Sequence, residues 1–252
     1  MRVIVNGALG RMGQAVREAL LEQGHTPVAL VDARATTTMP EVLPALSGFT
    51  GEADVLIDFS APAALSDVLS FAVARRIPAV LATTGYTPAD NALIRQAAEQ
   101  IGLFQSANMS VGINLLRQLI RRAAQALGDG FDVEIVETHH NKKKDAPSGT
   151  ALMLATALED AYETPRTLQM GRSGVDALRQ KNEIGIHALR GGTVPGTHEV
   201  QFFGPDEIIT ISHTAQSRSI FASGAVRAAQ YLVQIGAASH PGLYDMEALL
   251  TI

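Results

Sequence analysis

Cysteine is absent from all 252 residues, which excludes a disulfide framework and any thiolate-bound metal. No apolar run approaches the roughly 20 residues that a membrane span needs. The opening stretch, MRVIVNGALGRMG, has too short an apolar segment for a signal peptide and breaks at once into glycines. Positive charge is in deficit too: the net charge is −5, so nonspecific nucleic-acid binding is not expected as the main task. Internal repeats and low-complexity tracts are missing. The expectation is a soluble, cytoplasmic protein with neither nucleic-acid nor membrane partners.

What is present is a large apolar fraction, 46%, enough for one large core or two unequal ones. Short β-branched runs at 2–6, 26–32, 53–60, 77–85 and 103–108 alternate with helical spacing at 8–24, 61–76 and 87–102. Near-continuous apolar strands between helices predict a parallel sheet covered on both faces. The rhythm changes after Asn108. A long helix (110–127), a strand (131–140) and a helix (148–162) lead into an irregular segment, 163–182. Alternating segments at 183–192, 197–204 and 207–215 predict antiparallel or mixed strands. A last helix, 219–236, is expected to return to the first domain. The fold class is thus α/β, a parallel-sheet domain of residues 1–108 plus 219–252, with a second α+β domain, 109–218, carrying a mixed sheet.

Gly7, Gly10 and Gly13 follow the first strand and open a helix, where glycines let a backbone approach a pyrophosphate. The G-x-x-G-x-x-G spacing fits the dinucleotide fingerprint only loosely; its place in the fold strengthens it. Asp32 ends the second strand, where an acid meets the adenosine ribose. Arg34 and Arg11 are placed to meet a 2′-phosphate, so NADH and NADPH both remain open. The DFS of residues 58–60 and the ATTGY of residues 82–86 end parallel strands and face the same crevice.

The segment ETHHNKKKDAPSGTA (137–151) concentrates cations against the overall charge. Histidine titrates near neutrality, so His139 or His140 is a candidate proton donor. On a continuing strand the two point to opposite sides. A lysine supplies a point charge for a carboxylate or for developing charge. Ser148, Gly149 and Thr150 open an apolar helix and offer amides and hydroxyls to an anion, with Asp145 or Ser148 as its cap. Together they suggest a pocket for a small dicarboxylate. Adjacent histidines without a third ligand make a poor metal site, and none is expected. His187, His198 and His213 read as surface or packed side chains.

These residues resemble the dihydrodipicolinate reductase family over nearly the whole chain. The resemblance runs through GALGRMG (7–13), DFS (58–60), ATTGY (82–86), SANMSVGINLL (106–116), VETHHNKKKDAPSGTA (136–151) and SHTAQSRSIFASGAVRAAQYL (212–232). It implies His139 as proton donor and Lys143 as catalytic lysine, with Lys142 and Lys144 solvated. It implies His140, Ser148, Gly149, Thr150 and Thr84 as substrate-carboxylate contacts. For the cofactor it implies Gly7, Gly10, Arg11, Met12, Gly13, Asp32, Arg34, Phe59, Ala82, Thr83, Thr84, Gly85, Ala107 and Met109. It also implies a Rossmann-like first domain, a hinge from Asn108 and a homotetramer built on the mixed sheet. Two departures stand out. A loop that reads Gly-Thr-Thr in the family is Ala82-Thr83-Thr84 here, and Asp32 is separated from Arg34 by Ala33 instead of being followed directly by arginine.

The implied reaction is hydride transfer from NADPH or NADH to an unsaturated cyclic imine with two carboxylates, in diaminopimelate and lysine biosynthesis. Closure of the two domains would bring hydride donor and substrate together. Another Rossmann-type dehydrogenase would share the first 108 residues but have no use for HHNKKKDAPSGT. A nonenzymatic dinucleotide sensor would need no proton donor.

Overall fold

A computed structural model describes residues 1–250. The chain divides into two compact units, Met1–Val111 with the stretch from Arg218 onward, and Gly112–Ser217. In chain order the first unit holds β1 (Arg2–Asn6), α1 (Arg11–Glu22), β2 (Thr26–Val31), β3 (Val42–Leu43), β4 (Val55–Asp58), α2 (Leu65–Arg75), β5 (Ala79–Leu81), α3 (Pro88–Ala98) and β6 (Gly102–Gln105). The next helix, α4 (Val111–Leu127), leads into the second unit. That unit continues with β7 (Asp132–His139), α5 (Gly149–Glu159), β8 (Thr167–Met170), β9 (Glu183–Arg190), β10 (Gly196–Phe203) and β11 (Ile208–Ala215). Finally α6 (Ser219–Gln234), β12 (Gly242–Tyr244) and α7 (Met246–Leu250) belong to the first unit.

The first sheet runs β12-β6-β5-β4-β1-β2-β3, and every pairing is parallel. The strand order reverses at β1, between β2 and β4, which is where such sheets open a ligand crevice at their carboxyl ends. Strands buried on both faces explain the unbroken apolar runs: β4 and β5 have no exposed residue. One face packs on α1 and α6 through Val16, Leu20, Val226 and Leu232. The other packs on α2 and α3 through Leu65, Val68 and Ile94. Thr87 caps α3 in a reciprocal pair with Asp90, and Pro88 takes the first turn, where its missing N–H costs nothing.

The second sheet is mixed, β11-β10-β7-β9-β8. β7 is parallel to β9 and antiparallel to β10. One face is covered by α4 and α5, with Ile120, Leu154, Ile135 and Phe202 fully buried. On the other face of β7, Glu134 is held by Arg172, Arg179 and His187.

Four elements depart from the sequence expectation. β8 lies within the segment read as irregular, β3 and β12 were not anticipated, and α7 follows the helix read as the last. Strands of two to four residues are too short to show a period. No helix among the described residues is long and apolar enough to cross a membrane.

Candidate active site

In the first unit, β1 runs into a loop whose first residue, Gly7, has φ +78°. A Cβ there would stand 2.5 Å from the Phe59 carbonyl oxygen. One on Gly13 would stand 2.2 Å from the Gly7 carbonyl oxygen, so the loop and the first turn of α1 lie in direct contact. The amides of Gly7 and Ala8 donate to Val31 O. The Leu9 amide donates to Asp32 Oδ2 at 3.0 Å, which ties the loop to the end of β2. Beside it opens a cleft of about 1000 Å³ lined by Gly7, Gly10, Asp32, Arg34, Phe59 and Ser60, among others. A side chain on Gly7 would fill backbone space that the loop needs, and the acid and the arginine stand at one rim. These residues suit a dinucleotide's pyrophosphate and ribose.

Arg34 folds back onto Asp32 despite the intervening alanine. Its Nε donates to Oδ1 and its Nη2 to Oδ2, both at 2.9 Å. That contact holds the Asp32 carboxyl down at about 2, against the opposing effect of burial.

Asp58, buried at the end of β4, gathers three strand ends. It accepts from Asn6 Nδ2 (2.7 Å), Ser60 Oγ (2.6 Å) and Thr83 Oγ1 (2.8 Å). Thr83 is thereby turned inward and buried, while Thr84 and Gly85 are exposed after it. Burial first, and Asp58 second, push the Tyr86 phenol up. Met12 and Met109 send their side chains into the core, and Ala82 is buried. Arg11 and Ala107 are exposed.

In the second unit, alternation along β7 puts Glu137 and His139 on the covered face with Val133 and Ile135. Glu137 is fully buried and His139 nearly so. His139 Nδ1 lies 2.5 Å from Glu137 Oε2. The same carboxylate accepts from both Nη atoms of Arg190 at 2.8 Å and from the Ser148 amide at 2.9 Å. Burial pulls the Glu137 carboxyl up, but Arg190, His139 and the Ser148 amide outweigh it and hold it below its usual range.

Ser148 is the N-cap of α5, its hydroxyl accepting from the Ala151 amide at 3.1 Å. That hydroxyl also meets His198 Nε2 at 3.1 Å. Its amide and hydroxyl are thus engaged within the protein, which leaves Gly149, exposed, next in line at the helix N-terminus. Asp145 does not cap α5. It pairs with Lys143 Nζ at 2.9 and 2.8 Å. Lys143 is half-buried, whereas Lys142 and Lys144 are exposed. β7 ends at His139, and His140 leaves the strand with its amide on Val194 O.

His198, read from the sequence as a surface or packed side chain, is packed into this wall, its ring 5.2 Å from that of His139. Burial, then His139, lower it to about 4. Glu137 and Arg190 were not singled out from the sequence, and Asp58 only as part of the DFS of residues 58–60. A signal existed for Glu137: it shares the apolar register of Val133 and Ile135, so an acid was bound to be buried there.

A doubly wound parallel sheet with a glycine cleft, followed by a mixed-sheet unit with a buried carboxylate–imidazole pair, defines a two-domain nucleotide-dependent reductase. Residues 1–109 match the family model described as dihydrodipicolinate reductase, N-terminus, and residues 112–250 match dihydrodipicolinate reductase, C-terminus. The chain belongs to the dihydrodipicolinate reductase family. It is 46% identical to a 4-hydroxy-tetrahydrodipicolinate reductase of Caldanaerobacter subterraneus subsp. tengcongensis, over 99% of this chain and 98% of the relative. A protein of the same name from Exiguobacterium sibiricum is 41% identical over 100% and 97%. Among solved structures, dipicolinate-bound dihydrodipicolinate reductase from Paenisporosarcina sp. TG-14 superposes with a TM-score of 0.79 at 22% identity, covering 97% of each chain. A probable dehydrogenase from Thermotoga maritima shares the fold more distantly, with a TM-score of 0.61 at 12% identity over 99% of this chain and 92% of that one.

Proposed function

We propose that this protein reduces 4-hydroxy-tetrahydrodipicolinate (dihydrodipicolinate) to tetrahydrodipicolinate with NADPH or NADH, in diaminopimelate and lysine biosynthesis. The observation that carries the reading is the buried Glu137–His139 pair beside Lys143 and the N-terminus of α5. It lies inside the region matching the family's C-terminal model. The Paenisporosarcina structure holds dipicolinate, a ring with two carboxylates, which is the substrate class proposed here.

The domain of residues 1–108 plus 219–252 takes the dinucleotide in this reading. Gly7, Gly10, Gly13, Asp32 and Arg34 hold it, aided by Arg11, Met12, Phe59, Ala82 to Gly85, Ala107 and Met109. The bound reduced nicotinamide supplies a hydride. Residues 109–218 take the substrate. His140, Ser148, Gly149, Thr150 and Thr84 contact its carboxylates. As hydride arrives, charge moves toward the ring nitrogen. Lys143, steadied by Asp145, offsets that charge, and His139 Nε2 delivers a proton. A nonenzymatic sensor has no use for a buried proton donor of this kind. The resemblance also leads us to propose a cytoplasmic homotetramer assembled through the second domain, which light scattering on the purified protein tests.

The activity is tested by making the substrate in place from pyruvate and aspartate semialdehyde with the preceding synthase. NADH and NADPH oxidation are then followed separately. Rapid oxidation by wild type, with large losses for His139→Gln and Lys143→Ala that still bind dinucleotide, is the expected result. Folded wild type that binds dinucleotide but oxidises neither cofactor would overturn the reading.

A further inference from the structure

We infer that Glu137 is the positioning residue that decides which nitrogen of His139 carries the reactive proton, and that Arg190 fixes Glu137 for this task. The inference rests on the reading of His139 as proton donor and adds the residues through which it acts.

Glu137 is fully buried and its carboxyl stays ionised, so it only accepts hydrogen bonds. All four contacts to it are then donors: His139 Nδ1, the Ser148 amide and both Nη atoms of Arg190. Such a carboxylate has no capacity left for substrate. Its effect on chemistry runs through His139. With Nδ1 donating to Glu137, the neutral imidazole has its lone pair on Nε2, and a proton taken up by the ring resides there. That proton sits on the nitrogen turned away from Glu137, whose carboxylate lies 2.5 Å from Nδ1.

The ring has little room to rotate out of this arrangement. A Cβ on Gly196 would stand 2.9 Å from His139 Nε2, so the β10 backbone lies close against that edge. His198 packs edge-on against its face at 5.2 Å. His198 is itself engaged elsewhere: its Nε2 lies 3.1 Å from the Ser148 hydroxyl, which also accepts from the Ala151 amide.

Arg190 does more than neutralise Glu137. Its Nη2 also donates to the Asp145 carbonyl oxygen at 2.7 Å, and the Asp145 side chain holds Lys143. One guanidinium therefore sets the carboxylate behind His139 and the loop that carries Lys143. Charge-assisted, bidentate geometry gives that fork its directional hold.

Replacing Glu137 by glutamine preserves shape but reverses polarity at the Oε2 position, which accepts from Arg190 Nη1 as well as from His139 Nδ1. The Ser148 amide still requires an acceptor, so the new amide nitrogen faces His139 Nδ1. That nitrogen must then accept, and the ring proton moves to Nε2. Nitrogen-15 spectra of histidine-labelled protein, taken at about pH 9 where an ordinary imidazole is neutral, read this directly and need no turnover. Wild-type His139 is expected as the Nδ1–H form and Glu137→Gln as the Nε2–H form. The same form in both proteins would overturn the inference.

Kinetics supply a second readout. Glu137→Gln is expected to lower kcat about 100-fold, within the usual worth of a positioned proton donor, while KM changes less than about threefold. In a His139→Gln background the same change is expected to cost less than about threefold, because its route of action is gone. Equal losses in both backgrounds would mean that Glu137 serves α5 or the fold and not His139. If Glu137→Gln does not fold, Arg190→Lys enters the same cycle. A kcat loss of about tenfold that shrinks in the His139→Gln background to the part Arg190 exerts through the Lys143 loop supports the inference, and an equal loss in both refutes it. Wild type that oxidises neither cofactor would defeat the reductase reading, and the nitrogen spectra would still decide the role of Glu137.

Discussion

Arg34 closes on Asp32 through two parallel contacts of 2.9 Å at the mouth of the first unit's cleft. The acid suited to a ribose hydroxyl is thus partly neutralised, and the cation suited to a 2′-phosphate is tethered beside it. Both NADH and NADPH are therefore expected to serve. Arg34→Ala is expected to raise the KM for NADPH about tenfold, the loss of one charge-assisted contact. The KM for NADH should stay within about twofold. Steady-state kinetics with each cofactor check this, and parallel changes in the two constants would refute it.

Asp58→Asn places an amide donor among four donors, from Asn6 Nδ2, the Ser60 amide and hydroxyl, and Thr83 Oγ1. The expected cost is about 2–3 kcal/mol of stability, because a buried donor loses its acceptor. Dinucleotide affinity should fall with it, since the 58–60 and 82–85 loops lose their common anchor. Urea unfolding and calorimetric titration of NADPH measure the two effects. An unchanged affinity would show that the loops hold their shape without Asp58.

Contiguous features of the chain were legible: the glycine loop after β1, the acid at the end of β2, and the string from His139 to Thr150. They were legible because each depends on residues close in sequence. The Glu137–Arg190 pair spans 53 residues and joins β7 to β9, so no local pattern announces it. Arg34 shows a different limit: its place in the sequence suggested a phosphate contact, and only its rotamer reveals the bond to Asp32. β3 and β12 add to a sheet already formed, and pairing with a neighbour, not periodicity, makes them strands.

Stability should fall with acid in a way that His198 explains. Its folded value is lowered from 6.5 to about 4, so the folded state binds fewer protons than the unfolded one. Stability from this group is fully present above about pH 6.5 and is lost as pH falls toward 4, by on the order of 3 kcal/mol. The carboxyls of Glu137 and Asp32, held low, add further losses below that window. His198→Gln retains an acceptor for the Ser148 hydroxyl and should flatten the profile between pH 6.5 and 4. Urea unfolding across that range decides it, and an unaltered slope would assign the acid sensitivity elsewhere.

Two glycines with similar backbone angles should respond unequally to alanine. Gly7 (φ +78°) faces the Phe59 carbonyl, whereas Gly24 (φ +72°) has nothing within 4 Å of an added Cβ. Gly24→Ala is expected to cost about 1–2 kcal/mol, the left-handed backbone penalty alone. Gly7→Ala should cost more than about 3 kcal/mol, since a clash with backbone adds to it. Thermal unfolding of the two variants compares them directly.

The first unit is assembled from two stretches that the whole second unit separates. During synthesis, β6 remains without its neighbour β12, and the apolar surface meant for α6 stays bare, until the last stretch of the chain emerges. At ordinary elongation rates the intervening residues, 112–217, impose a wait of roughly 5–20 s. The nascent protein thus carries an exposed sticky face and an open sheet edge while its second unit is being made. It finishes its amino-terminal half last.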